Sequence, residues 1–266
     1  MIGSTSASTY WRATASLWQR EVVRFLRQRS RILGALGTPI VFWLFIGSGL
    51  SQSFRPPGSN EVVDYLAYAY PGTLAAILLF TAIFSTISII EDRQAGFLQG
   101  VLVAPVGRTA IVLGKILGSS TLALMQAALF LTLAPVAHVP LSVLSVVALM
   151  AVMAVVSVGL SGLGFWMAWS MESTQGFHAV MNLFLMPMWL LSGALFPATG
   201  ATGWVRVVMM VNPLAYGLTA MRHCLDVGTG AGQVAHGPGL AMSLVVTTLF
   251  AVLMLSVSIR VANRRG

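Results

Sequence analysis

Residues 89–115 read I-I-E-D-R-Q-A-G-F-L-Q-G-V-L-V-A-P-V-G-R-T-A-I-V-L-G-K, a charged, glycine-hinged turn set between two long apolar runs. An α-helix needs about 20 mainly apolar residues to cross roughly 30 Å of hydrocarbon. Working outward from this turn, such runs occur at 32–50, 66–90, 109–134, 141–169, 177–197 and 239–261. They are continuous, without the short alternating strands of a membrane barrel, so helices must satisfy the backbone internally. With 57% hydrophobic and 8% charged residues and a mean hydropathy of +0.85, too little polar surface remains to coat a soluble globule. The expected fold class is all-α, a polytopic membrane protein with six transmembrane helices.

Orientation follows from the basic residues. With the N-terminus cytoplasmic, twelve lie inside (Arg12, Arg20, Arg24, Arg27, Arg29, Arg31, Arg93, Arg108, Lys115, Arg260, Arg264, Arg265) and three outside (Arg55, Arg206, Arg222), together the 15 of the chain. That asymmetry favours both termini in the cytoplasm. The net charge of +8 then needs no nucleic acid as partner, because anionic inner-leaflet lipid attracts these arginines. The first apolar run follows a long arginine-rich stretch with no clean small-residue cleavage site, so it reads as a retained span. The single cysteine, Cys224, excludes an intrachain disulfide, and four histidines without paired spacing show no metal pattern.

Residues 1–31 read as a cytoplasmic amphipathic helix lying in the interface. Trp11, Trp18, Val22 and Phe25 share one helical face, and Arg20, Arg24, Arg27 and Arg31 gather opposite. The remainder, 32–266, is one membrane domain without a convincing internal repeat, which disfavours an inverted-repeat carrier. In the central turn, Glu91, Asp92 and Arg93 are expected to end the second span in water. Gly96 permits a sharp path, and Pro105 closes the short apolar helix that 97–103 could form. Lys115 is expected to snorkel to headgroups.

The 91–108 loop resembles that of type 2 ABC exporter permeases, nearest to the daunorubicin-resistance type. There the pattern runs approximately D-R-E-x-G-F-L-x-E-x-L-V-A-P-V-S-R, and this chain matches it at Asp92, Arg93, Gly96, Phe97, Leu98, Leu102, Val103, Ala104, Pro105, Val106 and Arg108. It departs at Gln94 and Gly100, where two acids are lost. A second match lies at S-G-A-L-F-P and N-P-L-A-Y, carried by Ser192, Gly193, Phe196, Pro197, Asn212, Pro213, Leu214, Tyr216 and Arg222. Between them Trp204–Val211 is apolar yet too short to span, as a re-entrant segment within 198–222 would be.

The resemblance implies a permease subunit of an ATP-driven exporter. Glu91, Asp92, Arg93, Gly96, Phe97, Leu98, Pro105 and Arg108 would couple it to an ABC-type ATPase. Two ATPase copies and a second permease copy complete the assembly, and ATP and Mg are bound on the partner. This chain shows no cofactor site of its own. Its nearest approach to a Walker loop, 107–116, has six residues between the glycines instead of four and ends in isoleucine.

Candidate pathway residues are Thr81, Ser85, Ser88 and Asn182, with Gln126 assigned to helix packing. The cargo expected is an amphipathic or hydrophobic small molecule. Polysaccharide or lipid-linked glycan is the alternative; it would call for aromatic rows along the lining, whereas the aromatics cluster in the N-terminal helix and near span ends. A remote competitor is a rhomboid-like protease, because G-L-S-G at 159–162 places Ser161 in the fourth span, although the last span lacks the histidine base. The orientation predicts that a cytoplasm-dependent reporter is active when fused to either terminus and silent when inserted at 51–65 or 226–238; the reverse pattern would refute it.

Overall fold

The computed structural model describes residues 7–50, 54, 64–98, 100, 107–196, 201–227 and 237–264. Pro105, with the rest of 101–106, and Pro197 lie outside the described residues, as does the side chain of Arg31. Helices α1 (Ala7–Arg27) and α2 (Arg29–Leu50) are followed by α3 (Tyr65–Ser85) and α4 (Ile87–Gln94). Then come α5 (Arg108–Leu131), a 3-10 turn (Ala134–Ala137), α6 (Val143–Ser170) and α7 (Thr174–Trp189), which runs into a π turn (Leu190–Ala194). Short helices α8 (Gly203–Val211) and α9 (Pro213–Asp226) precede α10 (Leu240–Arg264). Six helices are long and apolar enough to cross a membrane: Ile32–Leu50, Tyr65–Gln94, Arg108–Leu131, Val143–Ser170, Thr174–Ala194 and Leu240–Arg264. The described residues contain no strand.

The second span is the hub. Its most apolar window is 89% buried, against 22% for α2, 39% for α7 and 17% for α10. A helix apolar on all sides is stable only when neighbours surround it, and α2, α5, α6, α7 and α9 all pack on α3. Asp64 caps its start, accepting from the Leu66 amide at 3.0 Å. At Thr86 the hydroxyl donates back to the Ile83 carbonyl (2.6 Å), which marks the break between α3 and α4. Along 30 residues the only partly exposed side chains before the span's last turns are Leu66, Phe80 and Phe84.

Small residues set the close contacts elsewhere. A Cβ at Gly159 would come 2.8 Å from the Phe250 ring, and one at Gly162 would come 3.0 Å from the Met254 Cβ, so α6 and α10 meet backbone to backbone. Ser161 is fully buried and accepts a hydrogen bond from Ser120 on α5 at 3.1 Å. Its hydroxyl therefore packs spans, and among the described residues no histidine is bonded to it.

Helix α1 is not a free interfacial anchor but docks along α5. Its buried stripe is Thr14, Leu17, Glu21 and Phe25. This stripe lies between the tryptophan flank, where Trp11 is 61% exposed, and the arginine flank. Gly114 and Gly118 on α5 admit it: a Cβ at either would come 2.7 Å from the Cβ of Leu17 or Glu21 respectively. Gly114→Val is therefore expected to lift α1, lowering stability by about 1–3 kcal/mol and speeding tryptic cleavage within α1. Thermal unfolding and limited proteolysis of the full chain in detergent check this; unchanged profiles would rule out the close contact.

Candidate functional site

At the α1 end, six charged side chains from three helices converge. Lys115 of α5, expected at the headgroups, is instead 2% exposed, because its ammonium donates to Glu21 at 2.6 Å, to Ser88 at 3.2 Å and to Asp92 at shorter range. Asp92, expected in water, is 1% exposed. Arg20 grips it with two bonds, 2.8 and 2.7 Å, and Arg24 adds a third at 2.8 Å while its other nitrogen holds Glu91 at 2.6 Å. Three cations (Arg20, Arg24, Lys115) thus face three carboxylates (Glu21, Glu91, Asp92), so the cluster is neutral although largely out of water. The paired hydrogen bonds that Arg20 donates to Asp92, and the carboxylate charge, raise the Arg20 pKa, against the opposing effect of its partial burial.

The other loop residues also hold the chain to itself. Arg93 donates to the carbonyls of Met171 and Trp169, both at 2.9 Å, and lies over the Trp169 ring. It thereby covers the free carbonyl end of α6. Arg108 donates to Ala262 and Asn263 at the end of α10. Gly96 has φ +73°, a left-handed conformation that only glycine adopts freely. Phe97 lies beneath the Arg20 guanidinium, 3.7 Å from ring centroid to cation, and stays 37% exposed, while Leu98 is buried.

Near mid-bundle a cavity of about 410 Å³ opens between α2, α3 and α7. Asn182 lines it together with Phe42, Phe80, Phe84, His178 and Trp189. Thr81 touches its wall, but its hydroxyl donates to Gln126 at 2.8 Å. Ser85 bonds its own helix at Ala82, and Ser88 belongs to the charge cluster. Neither serine reaches the cavity lining, because Phe80 and Phe84 take the single stripe of α3 that the bundle leaves open. Phe80 stacks on Phe84 (5.8 Å between centroids), Phe84 meets His178 (5.4 Å) and Phe80 meets Trp189 (6.5 Å). The lining therefore does carry an aromatic row, contrary to the sequence-based expectation; the apolar runs alone did not reveal which side of each helix faces the cavity.

At the opposite end α7 breaks. Gly193 has φ +89°, and Leu191 is also non-helical, which frees carbonyls from the helical hydrogen-bond ladder. Tyr65 donates to Leu195 at 3.1 Å, Tyr68 to Gly193 at 3.4 Å, and Arg222 to Gly193 at 2.8 Å. Ser192 bonds Trp189, and Phe196 is partly exposed at the rim. Asn212 joins α8 to α9, accepting from Leu214 as an N-cap and donating to Met188 at 2.6 Å, with Pro213 as the first helical residue. Tyr216 ties back to Met210 at 2.8 Å. The described residues of the two sequence patterns, 192–196 and 212–222, are thus two sides of one joint.

Glu21 and Lys115 were missed as a pair by sequence reasoning. The usable signal was that Glu21 is the sole acid among the first 60 residues, and that Lys115 is a lone cation within an apolar span. Lone opposite charges in apolar surroundings need each other.

Six apolar spans, with a buried, neutral charge cluster at one end and a broken, re-bonded helix at the other, define a polytopic helical membrane protein. The ABC-2 type transporter family model matches residues 12–225, and the chain belongs to that family. Its members are membrane components of ABC transporters and work with an ABC ATPase subunit. Over 208 residues the chain is 24% identical to a protein described as transport permease ycf38 of Cyanophora paradoxa, covering 77% of this chain and 71% of that one. It is 25% identical over 158 residues to a multidrug ABC transporter permease, YbhR, of Escherichia coli (strain K12), covering 59% and 43% respectively. Nodulation protein J of Sinorhizobium fredii (strain NBRC 101917 / NGR234) is 24% identical over 257 residues, 96% of this chain and 92% of that one.

Removing one partner from a buried ion cluster leaves uncompensated charge and costs about 3–5 kcal/mol. Lys115→Met is expected to lose stability on that scale, and Glu21→Gln combined with Lys115→Met to lose less than the single variant, because one orphaned carboxylate is gone. Thermal unfolding of the purified full chain measures both; additive losses would refute the pairing.

Proposed function

We propose that this chain is the permease subunit of an ATP-driven exporter in the bacterial plasma membrane, with both termini cytoplasmic. Two copies pair about a two-fold axis, and each rests on an ABC-type ATPase that binds ATP and Mg. The observation that carries the reading is the cavity of about 410 Å³ between α2, α3 and α7, on the side where α2 and α7 leave Phe42, Phe45, Leu183 and Phe184 exposed. A second copy on that side would enclose the cavity as a central pathway, with the surrounding lipid taking the remaining apolar faces.

Glu91, Asp92, Arg93, Gly96, Phe97, Leu98, Pro105 and Arg108 form the coupling element in this reading. The ATPase presses on the loop beyond Gly96, and the ion pairs carry the movement onward. Asp92 and Glu91 hold α1 through Arg20 and Arg24, and α5 through Lys115, so the loop, α1 and α5 move as one body. Arg93 takes the end of α6 with them. Closure of the ATPases on ATP thereby reshapes the cavity from below. At the other end, Ser192, Gly193, Phe196, Pro197, Asn212, Pro213, Tyr216 and Arg222 form the outer gate.

The cargo that fits is an amphipathic or hydrophobic small molecule, drug- or antibiotic-like. The cavity is mostly apolar and offers Asn182, Thr38 and His178 as polar handles. A polysaccharide or lipid-linked glycan is the second reading, and the row formed by Phe80, Phe84, His178 and Trp189 specifically favours it, since sugar rings stack on aromatic faces.

The test is co-purification of the tagged full chain with a P-loop ATPase, followed by reconstitution into vesicles. Gly96→Val forces a β-branched residue to φ +73°, so ATP-driven transport is expected to fall at least tenfold with insertion and ATPase assembly retained. Absence of any bound ATPase would overturn the exporter reading; normal transport by Gly96→Val would overturn the coupling assignment alone. Phe84→Ala separates the cargoes, weakening transport of a lipid-linked oligosaccharide far more than that of an amphipathic dye if the glycan reading holds.

A further inference from the structure

The lining of the 410 Å³ cavity runs from Phe25 and Ile87, at the α1 end, as far as Trp189. Past it, toward the broken end of α7, lies a second space of about 10 Å³ whose lining includes Ile46, Tyr65, Ala69, Thr73 and Leu195. That is room for about one water. Pro39, Phe42 and Trp189 line both spaces, so they form a wall between them. Trp189 is the largest of these side chains and is 7% exposed. Its indole N–H donates to the Gly72 carbonyl of α3 at 2.8 Å, and its ring meets Phe80 of the aromatic row.

Trp189 is carried on a stretch of α7 whose helical ladder is interrupted on both sides. Pro187, two residues before it, has no N–H to give the Leu183 carbonyl. The π turn, with its non-helical Leu191 and Gly193, begins directly after it. Helices bend at such sites. Pro39, on the facing side of the wall, interrupts α2 in the same way. Gly72 is the seat for the whole arrangement: it accepts the indole bond, and a Cβ there would come 2.7 Å from the Ala194 carbonyl oxygen of the π turn. The joint beyond is braced by Tyr68 and Arg222 on Gly193, so movement is confined to the Trp189 side chain and the turn of α7 that carries it.

We propose that Trp189 is the gate residue of the pathway, with its indole bond to Gly72 as the latch. This gate rests on the reading of the large cavity as a transport pathway, and it marks the point where that pathway is shut toward the end opposite α1. While Gly72 holds the indole N–H, the ring separates the two spaces; when the bond is given up, the ring turns aside and joins them. A bend of α7 at Pro187 breaks the bond, because Gly72 belongs to the buried central span and Trp189 to the helix that bends.

The test places a thiol reporter in the large cavity of the full chain by Thr38→Cys, with Cys224→Ser removing the single native thiol. Sealed membrane vesicles carrying it are treated with a charged, membrane-impermeant methanethiosulfonate from each face in turn, and the labelling rate is read by mass spectrometry. From the face opposite α1, labelling is expected to be slow with Trp189 in place. It is expected to rise about fivefold with Trp189→Phe, which keeps a ring but loses the one hydrogen bond. With Trp189→Ala, which also removes the packing of the ring, the rise is about tenfold or more. Trp189→Phe decides the matter if Trp189→Ala fails to insert. Rates unchanged by Trp189→Phe would overturn the gate, and so would a rise of equal size from both faces, which is the mark of loosened packing. Labelling needs neither ATPase nor cargo, so failure of the gate is distinct from failure of the exporter reading, which shows as absence of an ATPase from the purified chain.

Discussion

Everything at the α1 end depends on one buried contact, the ammonium of Lys115 held between the carboxylates of Glu21 and Asp92. Each of these groups alone would be intolerable in its surroundings, and together with Arg20, Arg24 and Glu91 they reach neutrality. Such a cluster is weak as a source of net stability, because desolvation offsets much of the attraction. Its value is geometric: α1, α4 and α5 are locked in one register. Gly114 and Gly118 make this arrangement possible by letting the α1 backbone come close enough for Glu21 to reach Lys115.

For the proposed coupling this means that residues of the loop pattern face inward more than outward. Asp92 and Arg93 tie the loop to α1, α5 and α6, and Arg108 ties it to α10. A partner pressing on the exposed part of the loop, where Phe97 remains accessible, acts on a body already braced. The opposite end is held by donors to backbone carbonyls: the broken end of α7 survives because Tyr65, Tyr68 and Arg222 satisfy its carbonyls. Between these two rigid joints, the aromatic stripe of α3 is the part of the central span left open to a cavity.

Much of the architecture was legible from residue order. The six spans appear within a few residues of their observed limits, since a run of apolar side chains long enough to cross hydrocarbon has only the helix available to it. The positive φ at Gly96 fits the place where the chain was expected to turn sharply, whereas the break at Gly193 falls inside a run expected to be continuous. What misled was the sidedness of helices. Lys115 read as a snorkelling residue because its partner Glu21 is 94 positions away. Phe80 and Phe84, which do face the cavity, looked like ordinary core.

The sequence by itself determined the fold class, the number of spans and the two specialised ends, because these depend on local composition: hydrocarbon length, charge placement, and glycine or proline at a break. Only the tertiary structure decided which charges pair, which stripe of α3 stays open, and that α1 is a docked helix instead of a free anchor. Those outcomes depend on contacts between residues far apart in the chain, where the distance between two helices is set by side chains such as Gly114 and Gly118. A difference of one methyl group there determines whether Glu21 meets Lys115 or faces lipid.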